Sequence, residues 1–341
     1  PLDGAAEVVL INEGTLLILD GATGAMLRKT ALGLGTDGGA PNVDDFDGDG
    51  FPEIGSAFGT SFQVIDLQDT SATCPAWPNV LDDAVSLSGP QTNPARTPPG
   101  IACTTDADCS AVDPSTTCNE TTGACVCLHN GWRRRTEDDS SRVTGSSVFD
   151  FNGDGGAEVI YNDECFFRIY DGLTASVLFK EASESRTRIE YPVVADVDND
   201  GNAEIVFATS NESGFCSVGG SYNYNNGIEV WGDPSDTWVS ARRIWNEHAY
   251  HVTNVNESGA IPLIEPESWR TWNGRRYNTY RSNPRSFGVA PDLVVTGIQF
   301  TSPGETCGVL SDELDITFRI ENQGDLRVGP GVSIRFSGTW T

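Results

Sequence analysis

The sequence predicts an all-β chain: a β-propeller with acidic loops in its blades and a Cys-rich insertion, followed by part of a β-sandwich. Three observations carry that reading. The 341 residues include 37 Gly and 18 Pro, the mark of a turn-rich chain. Short β-type runs flank acidic loops. The loop-and-strand unit recurs every 46 residues, about the length of one propeller blade.

The first unit is beheaded. Asp3-Gly4-Ala5-Ala6-Glu7-Val8 matches the last half of the acidic pattern and leads into Glu7–Ile11, Thr15–Leu19 and the turn Asp20–Gly24. Three full copies follow, starting at Asp45, Asp150 and Asp196 and running to Ile54, Val159 and Ile205. After them come the runs Glu158–Tyr161 and Phe166–Tyr170, then Glu204–Phe207 and Gly227–Trp231. The predicted order within a unit is strand, acidic loop, strand, turn, strand.

Asp150 and Asp196 are 46 residues apart, whereas Asp45 and Asp150 are 105 apart, one unit with 59 residues to spare. The surplus matches a polar tract from about residue 71 to 134, read as an insertion. Poor in apolar residues, it would need disulfides to hold a shape. Cys103, Cys109, Cys118, Cys125 and Cys127 are separated by five, eight, six and one residues, spacings unlike paired CxxC zinc ligands. Cys74 makes six, with fifteen possible connectivities. Cys165 and Cys216 follow the acidic loops of adjacent units and are read as a bridge between blades, with Cys307 left over. These cysteines point to an oxidising, extracellular location.

From Ala290 the texture changes. Leu293–Phe300, Leu314–Gly324 and Val332–Phe336 read as three alternating strands, the first half of a β-sandwich. The expected domains are therefore 1–288 and 289–341. Pro1 is not an initiator methionine, so an upstream segment is expected to have been removed.

The chemistry of the loops follows from residue type and offset. Oxygens at positions one, three and five of a tight loop point inward, a Gly at six takes a backbone conformation other residues resist, and the carbonyl at seven adds another oxygen. Oxygen-only ligands of this hardness specify Ca²⁺. The expected ligands are Asp45, Asp47, Asp49, the Phe51 carbonyl and Glu53; Asp150, Asn152, Asp154, the Gly156 carbonyl and Glu158; and Asp196, Asp198, Asp200, the Asn202 carbonyl and Glu204. An EF-hand would carry a bidentate Glu at position twelve, where this chain has Ser56, Tyr161 or Phe207. Asp-Gly runs are often plain turns. Three copies with identical offsets instead argue for three Ca²⁺ sites.

With those residues in view, the D-x-[DN]-x-D-G-x-x-E-[IV] loops resemble the FG-GAP or VCBS repeats of integrin-type β-propellers, over about residues 1 to 288. The resemblance implies that Ca²⁺ rigidifies the blades. Glu stands at position nine where integrins have Asp. The segment from Ala290 resembles the start of a CARDB-type, Ig-like adhesion module of secreted bacterial proteins.

A formal charge of -28 argues against nucleic acid and anionic membranes as partners. No apolar stretch approaches the ~20 residues of a membrane helix. Glu247, His248 and His251 beside Arg243 offer acid/base groups, although polar groups satisfied within a closing blade are the stronger account. Trp269, Trp272, Tyr277 and Tyr280 with Arg270, Arg275, Arg276 and Arg281 form a basic, aromatic island suited either to an acidic partner or to internal packing. The functional expectation is a secreted or surface-displayed adhesion or scaffold protein that binds a protein or glycan without catalysis. Its alternatives are a polysaccharide lyase or hydrolase, and a self-associating filament subunit.

Overall fold

The structure is a computed structural model. It describes residues 6–32, 38–67, 79–80, 101–112, 116–119, 123–127, 131–138, 143–210, 226–284 apart from 236, 257, 270, 273–274 and 277, 293–301 and 315–322. The chain divides into two compact units, Pro1–Pro284 and Arg285–Thr341. Apart from one short helix, the regular elements among the described residues are β-strands, paired antiparallel with one exception, in sheets of which none closes into a barrel.

In the first unit, β1 (Glu7–Asn12), β2 (Thr15–Asp20) and β3 (Met26–Ala31) form one meander. The second sheet begins with β4 (Asn42–Asp44), β5 (Glu53–Phe58) and β6 (Ser61–Ile65). β7 (Asn79–Val80) forms the far edge of the same sheet, and the chain then leaves it through the short helix α1 (Asp106–Ser110) and the hairpin of β8 (Thr116–Asn119) and β9 (Ala124–Cys127). It returns as β10 (Trp132–Arg135), antiparallel to β6, with Trp132 opposite Val64. This corrects the expected insertion: Trp132 to Arg134 at its end, and Asn79–Val80 parallel to them, belong to the sheet. Three consecutive arginines disguise the strand, because Trp132 and Arg134 are buried while Arg135 is exposed.

The third sheet is a complete four-stranded meander of β11 (Ser147–Phe149), β12 (Glu158–Asn162), β13 (Phe166–Tyr170) and β14 (Val177–Ala182). The fourth comprises β15 (Val193–Ala195), β16 (Glu204–Thr209) and β17 (Gly227–Trp231). A small pair, β18 (Thr271–Trp272) and β19 (Arg275–Arg276), follows. In the second unit, β20 (Leu293–Thr301) pairs with β21 (Asp315–Asn322). The third expected strand, Val332–Phe336, lies outside the described residues.

Successive sheets of the first unit pack face to face. Leu16 and Ile18 meet Ile54, Phe58 and Ile65 between the first and second. Phe62, Val64 and Trp132 meet Val159, Tyr161 and Tyr170 between the second and third. Phe149, Ile160 and Phe167 meet Val194, Ile205 and Phe207 between the third and fourth. Val159 and Tyr161 thus face one neighbour and Ile160 the other, as strand alternation requires. Every residue of β5, β6 and β12 is buried, because each has a sheet on both faces.

The short strands β4, β11 and β15 come together, with β11 beside both of the others. The chain near the end of the unit binds to all three. Tyr280 exchanges backbone hydrogen bonds of 2.8 and 2.9 Å with Val43, Val148 donates to the Arg281 carbonyl at 3.2 Å, and Asn283 Nδ2 donates to the Val194 carbonyl at 2.8 Å.

Candidate metal centres

Each acidic loop joins the first strand of a sheet to the second: β4 to β5, β11 to β12, β15 to β16. All three fold alike. Gly50, Gly155 and Gly201 at position six have φ of 88°, 113° and 102°, the left-handed region that a Cβ disfavours. At position nine, Glu53, Glu158 and Glu204 turn back to accept the backbone N–H of Phe46, Phe151 and Val197, each at 2.8 Å. Position five accepts the N–H two residues on: Asp49 from Phe51 at 2.7 Å, Asp154 from Gly156 at 2.9 Å, Asp200 from Asn202 at 2.8 Å. Loops this similar derive from one sequence pattern. The expected ligand residues are therefore gathered in each, with the side chain of Phe51 turned to solvent.

In the first loop the ligand oxygens of Asp45, Asp47 and Glu53 lie within 4.8 Å of one another, as do those of Asp196, Asp198 and Glu204 in the third. Asp45 spends both carboxylate oxygens on backbone donors, Gly48 at 2.7 Å and Gly50 at 2.9 Å. Asp47 and Glu53 are 7% and 1% exposed, yet Asp47 Oδ2 and Glu53 Oε1 have no hydrogen-bond partner. Asp196, 7% exposed, leaves Oδ1 in the same state. Buried acceptors without donors are costly. Burial, reinforced by the charge of Asp49, pushes the Asp47 carboxyl up to about 9. Burial likewise holds Glu53, Asp196 and Glu204 above the usual carboxylate range and raises Glu158 to about 9. A hard cation bound among these oxygens would answer both the missing donors and the crowded charge. The donor set fits Ca²⁺.

One class of residue escaped the sequence reading. An Asp directly follows β6 and β13, at Asp66 and Asp171, as Asp20 ends β2. The charge of Asp66 acts on Asp47, and that of Asp171 on Glu158. The signal was an Asp after each apolar run, which reads as an ordinary turn residue. Asp171 is also a turn residue, accepting from Thr174 N–H at 2.6 Å.

Neighbouring loops touch. Ala157 N–H, in the second loop, donates to the Asp45 carbonyl of the first at 2.9 Å. A Cβ on Gly172 would overlap the carbonyl oxygens of both Ala157 and Phe46. Arg243 reaches from beyond β17 to the side-chain oxygen of Asn199 in the third loop.

No family model matches the chain, and no curated protein does. Among solved structures, the crystal structure of the V. cholerae biofilm matrix protein Bap1 is similar over 80% of this chain, with 20% sequence identity and a TM-score of 0.42. The match spans 34% of the Bap1 chain.

The cysteines whose side chains are described form disulfides rather than a zinc cluster. Cys103 is bonded to Cys118 and Cys109 to Cys125, tying α1 to the β8–β9 hairpin. Cys165 is also disulfide-bonded. Cys74, Cys216, Cys307 and the side chain of Cys127 lie outside the described residues.

The acid/base candidates do not converge. His248 Nε2 is 3.0 Å from the Ile189 carbonyl, and His251 pairs with Glu265. Arg243 is taken up by the third acidic loop. Of the basic, aromatic island, Arg281 is 3% exposed and stacks over Tyr191 at 4.2 Å, so this part of it packs internally.

Proposed function

We propose that this chain is an extracellular scaffold or adhesion protein whose blade loops bind Ca²⁺ and whose role is binding and assembly rather than catalysis. The observation that carries the proposal is the first loop, where Asp47 and Glu53 are buried with carboxylate oxygens that no protein donor reaches. In this reading the four face-to-face sheets are consecutive blades of an FG-GAP or VCBS-type propeller of about five units. Their short strands β4, β11 and β15 line its axis. The second unit is the start of a CARDB-like, Ig-fold module. The disulfides of the insertion support an oxidising compartment. Among the described residues no helix is long and apolar enough to cross a membrane. The partner is a protein or glycan surface.

The test is thermal unfolding after exhaustive EDTA treatment and after returning Ca²⁺. Ligand at 100 times its dissociation constant stabilises by about 2.7 kcal/mol per site. A rise of several degrees in Tm with Ca²⁺, absent with Mg²⁺ at equal concentration, is expected. An unchanged Tm would remove calcium from the proposal, and turnover of a polysaccharide by the purified protein would remove the non-catalytic role.

A further inference from the structure

The three loops share one backbone but differ in what their oxygens lack. In the second loop every carboxylate oxygen already has a donor. Asp150 accepts from Gly153 N–H at 2.7 Å and from Gly155 N–H at 2.9 Å. Asp154 Oδ1 accepts from Gly156 N–H at 2.9 Å, and Glu158 Oε2 from Phe151 N–H at 2.8 Å. The remaining two, Asp154 Oδ2 and Glu158 Oε1, are both served by one amide group, Asn152 Nδ2, at 3.0 and 3.1 Å. Asn152 Oδ1 is occupied too, accepting from Asp154 N–H at 2.8 Å.

At the same position the first loop has Asp47, a carboxyl group with no amide N–H to bridge its neighbours. Its Oδ1 accepts from Asp49 N–H at 3.2 Å, just as Asn152 Oδ1 does in its own loop. Its other oxygen lies where Asn152 carries NH₂, so Asp47 Oδ2 and Glu53 Oε1 are both left without a donor. The third loop has Asp198 there and leaves Asp196 Oδ1 unpartnered in a nine-tenths buried residue. In the first and third loops the carboxylate oxygens at positions one, three and nine lie within 4.8 Å of one another, whereas the second has an amide at position three, bonded to Asp154 and Glu158.

Resting on the reading of these loops as calcium sites, we infer that the chain takes two Ca²⁺ tightly, in the first and third loops, and that the middle loop is closed by Asn152 and fills last. An ion entering the middle loop must displace two amide hydrogen bonds and meets three carboxylates where the other loops present four. Fewer ligand charges weaken a calcium loop. The middle site is therefore weaker by about tenfold or more. Asn152 acts as a built-in substitute for the cation, keeping the β11–β12 connection shaped when Ca²⁺ is scarce.

The experiment is calorimetric titration of the EDTA-stripped full chain with CaCl₂, with bound calcium measured by atomic emission after gel filtration at low free Ca²⁺. Two ions per chain are expected, followed by a weaker third step. Asn152→Asp should convert the third step to a tight one, giving three ions per chain. Asn152 is exposed, so the variant should keep the fold, and far-UV circular dichroism in Ca²⁺ checks this. The wild-type stoichiometry stands as a test whether or not the variant folds. Three equivalent sites in the wild type, or a folded Asn152→Asp with an unchanged isotherm, would overturn the inference while leaving calcium binding intact. Absence of any bound Ca²⁺ would instead overturn the calcium reading on which it rests.

Discussion

Trp132 and Gly172 meet at the seam between the second and third sheets. The indole Nε1 donates to the Gly172 carbonyl at 2.6 Å, and the ring packs on Phe62 and Tyr170 with centroids 5.8 and 5.7 Å away. Gly172 has no room for a side chain because backbone, rather than flexible side-chain ends, surrounds the position. Gly172→Ala should destabilise by more than about 2 kcal/mol and Trp132→Ala by about 3–5 kcal/mol, read from urea unfolding in saturating Ca²⁺. A loss under about 0.5 kcal/mol for Gly172→Ala would mean the seam is looser than drawn. Asp138 gives a pH signature. It is buried, accepts from Thr136 Oγ1 at 2.6 Å and Tyr161 OH at 2.8 Å, and burial raises its carboxyl to about 7. The unfolded chain releases that proton near 3.8. The carboxyl's contribution is therefore complete below about 3.8 and is lost as pH rises to about 7. The Tm of the wild type minus that of Asp138→Asn should fall between pH 5 and pH 8. A difference constant across that range would show that Asp138 does not titrate there.

At the scale of elements, what the sequence made legible and what it hid divide along physical lines. The runs that became β1, β2, β12, β13, β16 and β17 were readable because apolar residues dominate them, and the acidic loops because offset and residue type leave few alternatives. Strand β10 was hidden because Arg134 is buried within it, and β14 because Val177–Ala182 mixes apolar residues with Lys180 and Glu181. The ion network under β13 was equally invisible. Arg168 pairs with both Asp163, in the β12–β13 turn, and Glu137, just beyond β10. Only proximity in the fold brings residues 31 positions apart together, as Glu137 and Arg168 are. Arg168 is 1% exposed and Asp163 fully buried, so removing the cation leaves carboxylates in a low-dielectric interior. Arg168→Ala should cost about 3–5 kcal/mol in chemical denaturation. Adding Asp163→Asn to it should recover part of the loss, since the double variant buries one charge fewer. If the double variant lost the sum of both single losses, the two residues would not be coupled.

For the molecule as a whole, the first unit is held at its sequence end by Tyr280, Arg281 and Asn283. Tyr280 joins Val43, the Arg281 carbonyl takes Val148 N–H, and Arg281 N–H donates to the Tyr250 carbonyl at 2.9 Å. Asn283 Nδ2 bridges the carbonyls of Val194 and Arg242 at 2.8 and 2.7 Å, and its Oδ1 accepts from Tyr250 OH at 2.8 Å. This stretch thus binds the first strands of three sheets to one another and to the segment after β17, although those strands are more than 40 residues apart in sequence. Each such contact closes a long loop, and its worth depends on the others already being formed. Removing the stretch should therefore cost more than the sum of its hydrogen bonds, at about 1 kcal/mol each. A chain ending at Pro284 keeps all of these contacts, and one ending at Thr279 keeps none. The first should melt in a single transition with the calcium dependence of the parent unit. The second should melt many degrees lower and over a broader range, because the first strands of three sheets lose the segment that joins them. Differential scanning calorimetry in saturating Ca²⁺ distinguishes the two. Superimposable transitions would mean that the packing and bonds between neighbouring sheets hold the unit together without residues 280–284.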